Sequence, residues 1–273
     1  MVYTQREVNL HTHTFYSGHG TGTALEMAEA AAAKGIKVLG LSEHSPKIGY
    51  DFIVKPWSHY SWMNWSDLEN YTYDVKQLRD NPSPDLPKIL LGCECEWRPD
   101  HLGFYKEELL GRLGYDYVLM GIHFIENDTG KHYIGNFPDM PRYLSKYVKD
   151  YTDGLESGIF LFGAHPDLFA SGFPVWNEDA KAATRDIIAC AKDLDIPLEV
   201  NDYAFRKPLI GNRRAYTVDE FWTEALAAGV RICTNSDAHN PKDIFCSHTF
   251  EYAEELGIKY VSWDVSETAI KAV

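Results

Sequence analysis

His11 and His13 are separated by one residue in the run Glu7–His13, whose apolar and β-branched content predicts a strand. Period-two geometry turns both imidazoles to the same face. Two neutral ring nitrogens so close together are half of a metal site, and a divalent cation removes the repulsion that two protonated rings would feel. A second same-face pair stands in Gly92-Cys93-Glu94-Cys95-Glu96, where the carboxylates share one side and the thiols the other. Two carboxylates facing inward are costly without cations. Asp237 and His239 in Ser236-Asp237-Ala238-His239 form a third pair, and Glu43-His44, His123 and His165-Pro166-Asp167 end further strand-like runs. Of the 11 histidines, seven (His11, His13, His19, His44, His123, His165 and His239) fall at or just after predicted strand ends. Imidazole with a few carboxylates suits zinc, manganese or iron, and this many donors exceeds one ion, which predicts two or three divalent metals.

The elements that must position these residues alternate regularly. Strand-like runs at Glu7–His13, Lys37–His44, Lys88–Trp97, Tyr117–Ile125, Ile159–Pro166, Pro197–Asn201 and Arg231–His239 are separated by helical stretches. The helices are expected at Thr23–Lys34, Ser66–Asp80, His101–Leu113, Met140–Glu156, Glu178–Leu194 and Thr217–Ala228, with a last one over Asp243–Leu256 and a short strand at Tyr260–Trp263. Such alternation implies parallel strands joined by right-handed crossovers. Both a closed barrel and a doubly wound sheet carry chemistry at the C-terminal strand ends, but only a barrel brings every strand end into one ring, which favours the barrel. Two long connections, Ser45–Trp65 with Tyr50, Trp57, Tyr60, Trp62 and Trp65, and Asp167–Trp176, read either as a lid or pocket wall or as packing over the barrel mouth.

The chain has 273 residues, 45% hydrophobic and 24% charged, the balance of a globular protein with a substantial core. Forty acidic against 26 basic residues give a net charge of −14. That disfavours long nucleic acid and anionic membranes as partners, so any phosphate must be held by local positive charge. No apolar run approaches the length of a membrane span and the N-terminal segment is polar, so no membrane association is expected. Five cysteines, an odd number and mostly inside apolar runs, point to reduced thiols in a cytoplasmic protein. Nothing in the sequence dictates an oligomeric state.

Over nearly its whole length the chain resembles the PHP (polymerase and histidinol phosphatase) family. The resemblance rests on His11-Thr12-His13 with His19 six residues on, Glu43-His44, Gly92-Cys93-Glu94, His123, His165 and Ser236-Asp237-Ala238-His239. It implies an α/β fold, a distorted (β/α)7 barrel spanning residues 1–273 as one domain, with up to three metals at the C-terminal strand ends. By resemblance one metal would take His11, His13, Glu94 and Asp237, a second Glu94 as a bridge with His123 and His165, and a third His19, His44 and His239. Glu96 is either a substitute for Glu94 or a carboxylate behind the ligands. Within the family the chain looks most like histidinol-phosphate phosphatases, through His19-Gly20-Thr21, Glu43-His44-Ser45-Pro46, and Asn201 followed by Arg206-Lys207. It departs from them in the long aromatic loop after the second strand and in His165-Pro166-Asp167.

The implied reaction is hydrolysis of a small phosphate monoester, most specifically L-histidinol phosphate. Metals would clamp the phosphoryl oxygens and lower the pKa of a bound water, whose hydroxide attacks phosphorus. Glu94, Asp237 and His239 are the expected catalytic residues. Arg206, Lys207 and Glu43 are the expected substrate contacts, Arg206 because a guanidinium fork matches phosphate oxygens. Arg213 and Arg214 read equally as rim or solvated surface. Competing readings are a family phosphoesterase acting on another small ester or nucleotide, an amidohydrolase-type barrel, and a metal-binding module without activity. The amidohydrolase barrel commonly bridges its metals with a lysine that the fourth strand here lacks.

Overall fold

The computed structural model describes residues 1–46, 63–127, 130–266 and 269–273. Its strands are β1 (Val2–Tyr3), β2 (Val8–Asn9), β3 (Val38–His44), β4 (Lys88–Glu96), β5 (Tyr117–Gly121), β6 (Phe124–Asn127), β7 (Gly130–Tyr133), β8 (Leu198–Asn201), β9 (Ile232–Asn235), β10 (Trp263–Val265) and β11 (Ile270–Ala272). The α-helices are α1 (Ala24–Ala33), α2 (Trp65–Asp80), α3 (Met140–Glu156), α4 (Glu178–Asp193), α5 (Tyr203–Arg206), α6 (Asp219–Ala228) and α7 (Ser247–Leu256). β2, β3, β4 and β5 form a parallel sheet in that order, and β8 and β9 form a second parallel pair.

Two seams curl these sheets into a ring. At one, the segment 159–166 lies between β5 and β8, with Gly163 bridging to Met120 on one side and Leu198 on the other. At the other, Thr12 bridges to Ala238, and the His13 amide donates to the Ala238 carbonyl at 2.8 Å. Seven staves result, as the expected barrel requires. The outer faces pack on the helices through Leu39, Leu41, Leu91, Cys93, Val118 and Met120, while the barrel interior is filled by Val8, Leu10, Val38, Leu90, Leu119, Phe162 and Trp263.

Tyr117 fills the interior beneath the strand ends and donates to the Leu10 carbonyl at 2.6 Å. It explains Gly40 and Gly92 in neighbouring strands. A Cβ at Gly40 would fall 2.0 Å from the Tyr117 hydroxyl, and one at Gly92 2.3 Å from its ring.

Three expected strands are shorter or different, each for a local reason. The Glu7–His13 run keeps only Val8–Asn9 in the ladder, because the Leu10 amide donates to Asn235 Oδ1 and the Thr12 amide to Ser42 Oγ. The Tyr117–Ile125 run stops at Gly121, where the Glu96 carboxylate captures the amides of His123 and Phe124 at 2.9 and 3.0 Å. A separate β6–β7 hairpin follows. Ile159–Pro166 makes only the isolated bridges, since His165 takes a left-handed φ of 31° and Pro166 has no amide hydrogen to give. The expected helix His101–Leu113 is π-helical over Phe104–Arg112. The short strand expected at Tyr260–Trp263 is β10, Trp263–Val265, which pairs antiparallel with β1 and β11 outside the ring. Of the predicted aromatic loop, residues 47–62, with Tyr50, Trp57, Tyr60 and Trp62, lie outside the described residues.

Candidate metal centre

Parallel strands that all run the same way deliver their C-terminal residues to one rim. Here that rim carries His11 and His13 after β2, His44 at the end of β3, Glu94 and Glu96 at the end of β4, His123 after β5, His165 at the end of the fifth stave (159–166), and Asp237 and His239 after β9. Glu94 stands at the centre and is almost fully buried. Its Oε2 lies 3.2 Å from His11 Nε2, 3.4 Å from His13 Nε2 and 3.0 Å from His44 Nδ1. Its Oε1 lies 3.4 Å from His123 Nε2 and 3.0 Å from His165 Nε2. Asp237 Oδ1 faces His13 Nε2 at 3.1 Å and His11 Nε2 at 3.6 Å.

Three sets of donor atoms lie within 4.8 Å of one another: His11, His13 and Asp237; Glu94, His123 and His165; and His13, His44 and His239. The first two sets coincide with groupings the resemblance implied, with Glu94 lying between them. In the third, His13 stands where His19 was expected. His19 lies alongside, its ring 4.6 Å from His239 and 5.5 Å from His44, with Nδ1 at 2.9 Å from the Ser17 carbonyl.

The donor set fits divalent cations on two counts. Buried nitrogens crowd together without hydrogen bonds of acceptable geometry: among the described residues these include His11 Nε2, both ring nitrogens of His13, and His239 Nε2. Charge is also poorly accommodated by protons alone. Burial opposes protonation of His11, yet Glu199, Glu94 and Asp237 push its pKa well above the usual imidazole range. Burial likewise opposes that of His13, but Asp237 and Glu43 push it up to about 9. In contrast, burial followed by the neighbouring imidazoles lowers His19 to about 4, and burial with His13 drives His239 well below its ordinary value. Glu94 and Asp237 stay ionised despite burial because His11 and its neighbours lower both. A buried cluster that must mix charged and neutral imidazoles is the arrangement that divalent ions relieve.

Two candidate ligands carry backbone strain. His165 and Asp237 are non-glycine residues with φ of 31° and 46°, a conformation that costs on the order of 1–3 kcal/mol and persists where the surroundings fix it.

Carboxylates behind the cluster were only partly legible. Glu96 accepts from the His123 amide and lies 2.9 Å from its Nδ1, a position behind His123 rather than in place of Glu94. Glu43 is fully buried, accepts from the Thr14 amide and hydroxyl at 2.5 and 2.7 Å, and faces His13 Nδ1 at 3.6 Å. It is therefore not a substrate contact as expected: adjacent strand residues alternate faces, so with His44 on the pocket side Glu43 turns behind His13. Glu199, which the sequence reading did not single out, lies 3.0 Å from His11 Nδ1. Its signal was available in the strand register, since Glu199 and Asn201 share a face at the end of β8.

A pocket above the cluster is walled by Phe124, Tyr133, Leu168, Tyr203, Lys207 and Tyr216, with His19, His44, His123, His165, Asp237 and His239 at its floor. Lys207 Nζ lies 3.4 Å from the Tyr133 hydroxyl and 4.7 Å from the centre of the Tyr203 ring. Arg206 was expected to meet phosphate, but its guanidinium points elsewhere. Nη1 pairs with Asp202 at 2.5 Å, and Nη2 donates to the Ser236 carbonyl and, at 3.2 Å, to that of Asp237. Arg213 donates to the Phe173 carbonyl at 2.6 Å, and Arg214 pairs with Asp219 at 2.8 Å while covering Phe205 and Tyr252, so neither reaches the pocket. Of the Asp167–Trp176 segment, Leu168 reaches the pocket, while Phe169, Ala170 and Phe173 are buried in the core.

Fold and site together define an α/β barrel that gathers histidine and carboxylate groups able to hold metal ions at its C-terminal rim. Comparison with known proteins agrees. The PHP domain profile matches residues 9–203, and the chain belongs to that family. A "Probable histidinol-phosphatase" of Deinococcus radiodurans is 26% identical over 241 residues, covering 86% of each protein. A "Probable phosphatase" of Clostridium acetobutylicum is 40% identical over 239 residues, covering 85% of this chain and 78% of that one. The crystal structure of histidinol phosphate phosphatase from Lactococcus lactis, complexed with zinc, L-histidinol and phosphate, superposes with a TM-score of 0.69. It is 16% identical and covers 97% of this chain and 99% of that one, a likeness of fold.

Proposed function

We propose that the protein is a metal-dependent phosphomonoesterase whose substrate is L-histidinol phosphate. The observation that carries this reading is the set of three donor clusters around Glu94, open to a pocket lined, among the described residues, by Lys207 and several aromatic rings. His11, His13 and Asp237, then Glu94, His123 and His165, then His44 and His239 with His13 or His19, would hold two or three divalent ions, zinc, manganese or iron by donor chemistry. When bound, such ions polarise phosphoryl oxygens and bring a water's pKa towards neutrality.

The chain's own residues supply the rest. Glu94 and Asp237 set the negative charge of the floor, leaving it net positive once metals are present, so an acidic protein can still attract a phosphate dianion. Lys207 adds the ammonium that best reaches the phosphate from the wall, tethered by Tyr133 and Tyr203. Asp237 and His239 line the floor, where the ionised Asp237 carboxylate can take a proton from the attacking water and return it to the departing alcohol. The rings of Phe124, Tyr133, Tyr203 and Tyr216 suit an organic group carrying an imidazole and an amine, which aromatic faces attract. The Deinococcus relative's name and the Lactococcus complex support histidinol phosphate in particular. The five unpaired cysteines support a reducing, cytoplasmic setting, and among the described residues no helix is long and apolar enough to cross a membrane.

The test is phosphate release by purified, metal-loaded protein from histidinol phosphate, simple phosphomonoesters and a mononucleotide. A kcat/KM above roughly 10⁴ M⁻¹s⁻¹ for histidinol phosphate, well ahead of the panel, supports the substrate. Activity confined to other esters would retain the chemistry and refute the substrate.

A further inference from the structure

Glu199 is fully buried at the end of β8, and both its oxygens are taken up by residues from three other staves and its own. Oε1 lies 3.0 Å from His11 Nδ1 and accepts from Asn235 Nδ2 at 2.9 Å. Oε2 lies 3.3 Å from His11 Nδ1, accepts the His165 amide at 3.3 Å and accepts Asn201 Nδ2 at 2.9 Å. Its partners reach onward: Asn235 Oδ1 accepts the Leu10 amide at 2.7 Å, and Asn201 Nδ2 also lies 3.2 Å from Asp237 Oδ2. One carboxylate thus touches the ring of His11 and the strained backbone of His165, and reaches Asp237 through one amide side chain.

We propose that Glu199 is the positioning residue of the metal centre, fixing His11 as the tautomer that bears hydrogen on Nδ1 and presents Nε2 to the metal, while pinning the His165 turn. Both Glu199 oxygens already accept amide N–H groups, so the carboxylate meets His11 as an acceptor, which puts the hydrogen on Nδ1 and leaves Nε2 as the free donor to a cation. Nothing else in the described surroundings of His11 Nδ1 sets that choice: Asn9 meets the His11 backbone amide and Glu94 the other ring nitrogen. The asparagine amides make the orientation one-way. Their N–H groups point at Glu199, so a glutamine there would have to turn an NH2 towards His11, Asn201, Asn235 or the His165 amide, all of them donors.

The inference rests on the metal reading of the site but not on the substrate, and its test uses no substrate. The full chain, Glu199→Gln and Glu199→Asp are stripped of metal and titrated with zinc, measuring stoichiometry and affinity by competition with a chromophoric chelator. Thermal melts of the zinc-free forms check the fold. Glu199→Gln is expected to weaken zinc binding by roughly 10–100-fold or lose an equivalent, with Glu199→Asp in between. Unchanged stoichiometry and affinity in Glu199→Gln would overturn the proposal. Should that variant fail to fold, the zinc-loaded wild type is examined by nitrogen-15 NMR of its histidines, assigned against His11→Gln. Hydrogen on His11 Nδ1 supports the role, and hydrogen on Nε2 overturns it. A wild type that takes up no zinc overturns the metal reading itself, a different outcome from inactivity towards histidinol phosphate.

Discussion

His13 shows how the charge of the donor cluster suits a cation. Burial disfavours the imidazolium, but Asp237 and Glu43 push its pKa up to about 9, and His11 is raised in the same direction. Near neutral pH both rings therefore carry protons that a metal must displace, because only a neutral imidazole ligates. Zinc uptake should release at least one proton, and affinity should climb with pH until about 9. Calorimetry in buffers of differing ionisation enthalpy measures this. An affinity flat between pH 6.5, the ordinary imidazole value, and 9 would contradict the assignment.

The neighbouring cations divide in the same concrete way. Lys207 faces the pocket, whereas Arg206 is spent on Asp202 and the carbonyls of Ser236 and Asp237. Lys207→Met should raise KM for a phosphomonoester roughly tenfold while metal content stays put. Arg206→Met should instead disturb the backbone of Asp237 and lower metal occupancy. Reversed behaviour, with KM following Arg206 and metal content unmoved, would restore the phosphate contact expected from sequence.

At the scale of elements, the strand ends were legible because period-two alternation is rigid. Glu94 and Glu96 on one face, with the cysteines on the opposite one, follow directly from that spacing. Positions where the ladder gives way were not legible. A carboxylate from β4 ends β5 by taking the His123 amide, and a left-handed His165 breaks the fifth stave. Both are tertiary events that no local pattern encodes, and both occur at the site. Glu43 misled for the opposite reason: its neighbour His44 faces the pocket, so alternation itself puts Glu43 behind. The floor beneath the site depends on Tyr117 lying over Gly40 and Gly92. Gly92→Ala must drive a methyl into that ring, and should cost about 1–3 kcal/mol. Chemical denaturation of the metal-free protein measures the loss; an unaltered midpoint would show that the floor can shift freely.

For the whole molecule, a strongly acidic chain that handles phosphate is consistent only if positive charge is concentrated in one place. The ring closure through Gly163 and through Thr12–Ala238 achieves this by bringing donors from distant parts of the sequence, His11 and His239 among them, to one rim. Alternation of runs indicated a barrel; the number of staves came from the family resemblance, and the seams show how seven close when one of them is barely a strand. Arg213 and Arg214, equally suited by sequence to rim or surface, are held away from the pocket by Phe173 and Asp219.

The central claim is that catalysis depends on a polynuclear centre built around Glu94. Its most direct test is to strip the protein of metal and measure phosphate release from a phosphomonoester as zinc or manganese is added back by known equivalents. The account predicts no activity in the stripped protein, and activity that rises to a plateau at two or three equivalents. Activity that survives complete stripping, or full metal loading without any phosphate release, would contradict it.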